Sequence, residues 1–214
     1  MKIRTTFELS SFLDEELAWR KRELTNLFFD TTKCPREHLI DTRLRAAIPM
    51  LYSHWEGFLK LAAQAYLQFV ARQRLRYCDL TTNFVTISCR KALNESAASR
   101  QTHIQTQLVD FLIYNQFNRA RIPVNNVIET ESNLSSPVLR NILFTLGIPF
   151  DNYWQTKSLL VDGSLLFLRN RIAHGERQLV SLAAYLELHR FILDALDYMK
   201  RLIETSAING TYKR

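Results

Sequence analysis

The longest regular pattern in the chain lies between about Glu37 and Tyr77. There Ile48, Leu51, Trp55, Phe58, Ala62, Tyr66 and Phe69 recur at steps of three and four, the spacing that places side chains on one face of an α-helix. A helix with that much aromatic and aliphatic surface on one side needs other elements to cover it. Pro49 falls inside the pattern and either kinks the helix or marks a new start.

Shorter patterns of the same kind flank it. Thr6 to Phe29 carries Phe7, Leu13, Leu17, Leu24 and Leu27, before a break at TTKCP that ends in Pro35. In the last third, Val161, Leu165, Leu168 and Ile172 form one stripe. Leu179, Leu182, Leu186, Leu193, Leu196 and Ile203 form another, up to Asn209-Gly210. Between about residues 79 and 149 the signal weakens. A helical piece is predicted near Thr102 to Asn115, and IPVNNVIETESN reads as a loop or a short hairpin. SSPVLRNILFTLG reads as a helix with Ser136 as N-cap, Pro137 at the first helical position and Gly147 at the left-handed position after the end. The predicted fold is therefore all-α: an antiparallel helical bundle of four or more helices, one domain over residues 1–214, with an irregular or partly helical elaboration at about 79–149.

Composition agrees. Five Gly and five Pro in 214 residues fall well below the roughly 12% of average usage, which excludes collagen-like, Pro/Gly-rich and turn-dense β chains. A hydrophobic fraction of 47% excludes disorder. Cys34, Cys78 and Cys89 are too few and too scattered for a disulfide framework or a zinc site, and fit a reducing cytoplasm. The opening MKIRTTFELSSFLDEE has no apolar signal core, and no uncharged apolar run reaches the length of a membrane span. The expected location is cytoplasmic, with no membrane partner. The net charge of +7 admits nucleic acid, an anionic membrane or plain solvation as its reason.

Common catalytic signatures (GxGxxG, Walker loop, HExxH, GxSxG, CxxC) are absent, and no cofactor is implied. Glu129 and Glu131 lack companions at metal-ligand spacing, so no metal site is assigned. What remains is LRNRIAHGE, Leu168 to Glu176. On an ideal helix with its apolar stripe facing inward, Asn170 and His174 lie about 40° apart on the outward side, and Arg169 sits on the flank about 100° from Asn170. One turn thus offers a guanidinium, an amide and an imidazole. An ordinary solvated helix face has the same appearance.

Arg169, four intervening residues and His174 resemble the Arg-x4-6-His motif of the HEPN domains, with Asn170 as the polar residue often found after the arginine. YSHWEGFLK (Tyr52 to Lys60), SNLSSPVLRNIL (Ser132 to Leu143) and LLFLRNRIAHGE (Leu165 to Glu176) resemble, in order, blocks of the MAE-type HEPN-like nucleases. The resemblance implies a metal-independent endoribonuclease acting on an RNA substrate from a homodimer cleft. It also implies a toxin or antiphage role, with an antitoxin or other regulatory protein as a further partner. His174 would pass protons, Arg169 would stabilise phosphorane charge and Asn170 would orient the phosphate or the histidine. Glu56 either supports the site or pairs with Lys60 on the helix surface. Arg171 either contacts neighbouring phosphate or is a surface charge. Glu176 stands where relatives regulated by a nucleotidyltransferase carry a tyrosine, which argues against that control. His38, His54, His103 and His189 read as structural or solvated. The alternative is a non-catalytic HEPN module that dimerises and binds RNA or a partner protein. A DNA-binding regulator is weaker, because no helix-turn-helix signal stands out.

Overall fold

Thr5 and Glu8 start the first helix, α1 (Thr6–Thr32). The Glu8 N–H donates to Thr5 Oγ1 at 3.1 Å and the Thr5 N–H donates to Glu8 Oε2 at 3.0 Å, so a capping box satisfies donors the helix cannot. The computed structural model describes residues 2–33, 37–131 and 133–214, with the side chains of Glu37 and His38 also left out. The expected break at Pro35, the placement of Cys34, and the environment of His38 fall outside the described residues. α2 (Glu37–Arg72) runs through Pro49 without interruption and ends five residues before the expected Tyr77. The elaboration contains α3 (Thr82–Ala98), α4 (Thr102–Tyr114) and α5 (Ser136–Thr145). A broken helix follows: α6 (Asn152–Leu159), a π-helical stretch (Leu160–Leu166) and α7 (Phe167–Ala173). α8 (Leu182–Asn209) closes the chain, capped by Ser181 and ended by Gly210 at φ 64°.

Contacts in register give the direction of each helix. From α1 to α8, Ser10 meets Glu204, Lys21 meets Asp197 and the Leu24 carbonyl meets His189. One number rises as the other falls, so the two are antiparallel. From α1 to α2, Asp30 meets Arg43, Glu23 meets His54 and the Arg20 guanidinium lies over Phe58, again antiparallel. From α2 to the broken helix, Trp55 meets Trp154, Tyr52 meets Arg169 and Arg45 meets Glu176. Tyr153 and Asp151 then bond Asp194 and Tyr198. The order α1, α2, α6–α7, α8 is therefore up-down-up-down, the antiparallel bundle expected. One buried cluster runs through it, with Leu13, Trp55, Phe58, Tyr66, Trp154 and Leu196 fully enclosed.

Two expectations need correction, and one helix forms where the pattern is weak. Of the expected α8 stripe, Leu196 and Ile203 are buried and Leu186 and Leu193 pack partly on the core. The buried face also takes in Tyr185, Leu188, Ile192, Ala195 and Met199, while Leu179 and Leu182 are exposed. The first part of the expected stripe belongs to the approach to the helix, where no neighbour covers it. The cap of α5 is Ser135, whose hydroxyl accepts the Val138 N–H at 3.4 Å, not Ser136; with two serines in tandem the chain uses the earlier one. Gly147 does take the left-handed position, at φ 69°. α3 forms in a stretch rich in Thr, Ser and Asn, which compete for backbone bonds; burial of Phe84, Ile87 and Cys89 overrides that. Between Ile122 and Asn133 the described residues form an irregular loop. No helix among them is long and apolar enough to cross a membrane.

Two histidines sit inside the bundle. Burial pushes the His54 imidazole down, with Arg20 acting the same way and Glu23, 3.1 Å away, opposing. Trp19 stacks on its other side. Burial also pushes His189 down, against the Leu24 carbonyl and between Phe28 and Tyr185. Both stay neutral when folded, whereas unfolded histidines take up protons near pH 6.5. Stability is expected to hold above about pH 6.5 and to fall as pH drops through that value towards the folded-state pKa values. Thermal melts from about pH 7.5 to about 5.5 read this, and a double His54→Gln, His189→Gln variant should flatten the slope.

Candidate functional site

Three distant segments converge on the Arg169 side chain. Its Nη1 donates to Asn133 Oδ1 at 2.8 Å and to Asn170 Oδ1 at 2.7 Å. Its Cζ lies 4.4 Å from the centroid of the Tyr52 ring, within cation–π range. Asn133 comes from the irregular loop, Tyr52 from α2 and Asn170 from α7 itself. Two neutral amide oxygens and a ring face thus help to hold the guanidinium in place.

Each of these partners is itself fixed. The Leu134 N–H donates to Tyr52 Oη at 2.7 Å, and Trp55 Nε1 donates to the Leu134 carbonyl at 3.4 Å. Side chains three apart on α2 thus secure both backbone groups of the residue next to Asn133. The Asn133 N–H closes a turn on the Thr130 carbonyl at 2.9 Å. That turn carries Glu131 at φ 52°, a left-handed conformation that costs a residue with a Cβ roughly 1 kcal/mol or more. On the far side of Ser135, the Ser136 N–H donates to Asp162 of the π stretch at 2.8 Å, placing a carboxylate at the start of α5. Burial is the main cause that pushes the Tyr52 hydroxyl up to about 12. The nearby Glu56 carboxylate acts in the same direction. Glu56 is half-buried and acts on the Tyr52 hydroxyl, one residue behind Arg169.

The other end of α7 is built from a turn. His174 is the cap residue, and its N–H donates to the Asn170 carbonyl at 3.0 Å. The Gly175 N–H returns to Ile172 and the Glu176 N–H to Arg171, both at 3.0 Å, the pattern of a Schellman motif. It requires Gly175 at φ 79°, and a Cβ there would meet nothing within 4 Å. Gly175→Ala is thus expected to cost about 1–2 kcal/mol from conformation alone, with Gly175→Asn milder. Denaturant melts of the three proteins check the order. His174 is exposed, one turn past Asn170.

Arg171 does not reach towards Asn170. Its Nε bonds Glu176 Oε2 at 2.5 Å across the turn, and its guanidinium lies 5.2 Å from the Phe167 ring. Arg45 of α2 donates to the Glu176 carbonyl at 2.7 Å. Arg171 braces the loop that presents His174. A π stretch precedes α7, so the ideal-helix angles do not carry over from Val161 and Leu165. Arg169, placed on the flank by the projection, is half-buried against Tyr52. The sequence pattern does not single out Tyr52 and Asn133, although both stand in the quoted blocks. Among the described residues no three His, Cys, Asp or Glu side chains gather to hold a metal, and Glu129 and Glu131 are exposed.

A family model described as RiboL-PSP-HEPN matches residues 15–205. The match bears on the HEPN superfamily and not on the MAE-type branch. Searches of curated proteins and of solved structures gave no match. The match covers the bundle and all three segments that meet at Arg169, and the chain belongs to the RiboL-PSP-HEPN family.

Proposed function

We propose that the chain is a metal-independent endoribonuclease that works as a homodimer, with Arg169, Asn170 and His174 of each copy lining a shared cleft. One observation carries the reading: Arg169 is held by Tyr52, Asn133 and Asn170, one turn before an exposed histidine. Arg is the residue suited to a phosphoryl group, since its planar fork matches two oxygens and stays charged at every working pH. Asn170 gives its Oδ1 to Arg169, which turns its amide N–H donors to the other side, towards a phosphate.

A neutral His174 imidazole removes the proton of the ribose 2′-hydroxyl. The 2′-oxygen attacks the adjacent phosphorus, Arg169 and Asn170 stabilise the charge on the non-bridging oxygens, and the bond to the 5′-oxygen breaks. His174 of a second copy returns a proton to that oxygen. The products are a 2′,3′-cyclic phosphate and a 5′-hydroxyl, and DNA is spared because it lacks the attacking group. A cell would have to restrain such an activity, which suits a toxin or antiphage effector held by an antitoxin or other regulatory protein. The test is RNA cleavage in EDTA by wild type, Arg169→Ala and His174→Ala. Cleavage by wild type alone supports the proposal. Loss of wild-type cleavage in EDTA, or retention in both variants, overturns it. RNA binding with no cleavage of any substrate turns the assignment to a non-catalytic HEPN module.

A further inference from the structure

At the far end of α2 from Tyr52, a cavity of about 620 Å³ is lined by Arg4, Arg72, Arg74 and Arg119, with Gln68 and Ile122 between them. Every charged residue in its wall is an arginine, and none of the four is in an ion pair among the described residues. The nearby Arg76 differs, because Asp79 holds it through both its Nε and Nη2. Three separate parts of the chain supply the four, and each is held there by the backbone. Gln73 Nε2 donates to the Arg4 carbonyl and to the Phe69 carbonyl, both at 3.0 Å, which fastens the N-terminal segment to the end of α2. The Ala120 N–H donates to the Leu75 carbonyl at 2.8 Å and the Tyr77 N–H to the Asn118 carbonyl at 3.2 Å, which sets Arg119 against the residues after α2. Arg121 follows on the rim of the adjoining cavity.

Arg74 supplies an independent observation. It stands two residues beyond the end of α2 at φ 57°, a left-handed position that glycine fills without strain and that a residue with a Cβ occupies at a cost. An arginine kept there against its backbone preference puts a guanidinium where glycine would put none. Four like charges around one depression repel each other and are relieved by a ligand carrying several negative charges at close spacing. A single phosphate would meet one or two of them. A strand of nucleic acid carries one charge per nucleotide and suits a groove of this kind.

We propose that this arginine groove binds the phosphate backbone of single-stranded RNA, independently of base sequence, at a distance from the Arg169–His174 site. By the rise of α2, Arg72 stands on the order of 30 Å along the helix from Tyr52. As a substrate-holding site it rests on the nuclease reading, but its binding can be measured without cleavage. The probe is a labelled 2′-O-methyl oligonucleotide, which has no free 2′-hydroxyl and cannot be cut by the route above. Wild type and an Arg72→Gln, Arg74→Gln, Arg119→Gln variant are titrated over a range of salt. The variant is expected to bind at least about tenfold more weakly, and its log–log salt slope to flatten by about 2, close to 0.7 per lost phosphate contact.

Arg74→Gly gives a second reading, free of concern about folding. Relief of strain is expected to raise its melting temperature while its affinity for the probe falls. Unchanged affinity and slope in the triple variant overturn the proposal. So does failure of wild type to bind the probe, or groove-dependent binding of anionic vesicles in its place. Cleavage of unmodified RNA, scored separately, keeps the two readings apart. A groove that binds in a protein that cuts nothing sinks the nuclease and leaves the groove. A protein that cuts equally well without the arginines, and binds as before, does the reverse.

Discussion

Arg169→Lys is expected to lower the single-turnover rate of RNA cleavage by about 10²–10³, the loss typical when one preorganised donor to a developing oxyanion is removed. Charge is kept in this variant, so the loss would report geometry. A lysine ammonium is a point charge on a flexible stem. Asn133 Oδ1 and Asn170 Oδ1 both take their bonds from one nitrogen, Nη1, which an ammonium can replace. An ammonium offers neither a planar group over the Tyr52 ring nor a second nitrogen for a phosphate oxygen. A melting temperature close to wild type should accompany the loss, since Arg169, Asn133 and Asn170 are only half-buried and the buried Tyr52 keeps its packing. Single-turnover kinetics at saturating enzyme separate the chemical step from substrate binding.

Trp55→Ala is expected to produce the largest change in stability, about 3–5 kcal/mol. For a chain of this size that lowers the melting temperature by roughly 6–20 °C. Trp55 is fully enclosed, with Trp154 at 5.7 Å and Phe191 at 5.6 Å between ring centroids, so the cavity left behind would touch three helices. Its Nε1 also serves the Leu134 carbonyl. Trp55→Phe, which fills most of the space but drops that donor, should cost clearly less stability. It should still loosen the loop that carries Asn133. Calorimetry of the two variants, with cleavage rates measured below their transitions, distinguishes packing from anchoring.

The bundle was legible because its signal is local. Ile48 to Phe69 repeat at helical spacing, and all seven positions of that stripe are buried. The segment from Arg169 to His174 was legible for the same reason, as a short pattern of chemically distinctive residues. What stayed hidden depends on distance or on small differences of backbone. Asn133 is 36 residues from Arg169, and nothing within either segment announces the pairing. LVDGSLL has the apolar spacing of any helix, so its π winding has no signature in the residue types. The pairing of Arg171 with Glu176 was hidden too, because the turn at Gly175 brings the two together. The arginine groove was invisible for a similar reason: its members lie at positions 4, 72, 74 and 119 and form no charge run.

The most direct measurement is the chemistry of the RNA ends. Fragments made by wild type in EDTA are to be analysed by mass, beside the same incubation with His174→Ala. The expected result is 2′,3′-cyclic phosphate and 5′-hydroxyl termini from wild type and intact RNA from the variant. Fragments with 3′-hydroxyl and 5′-phosphate ends, or equal cutting by His174→Ala, would contradict a 2′-hydroxyl attack served by this histidine.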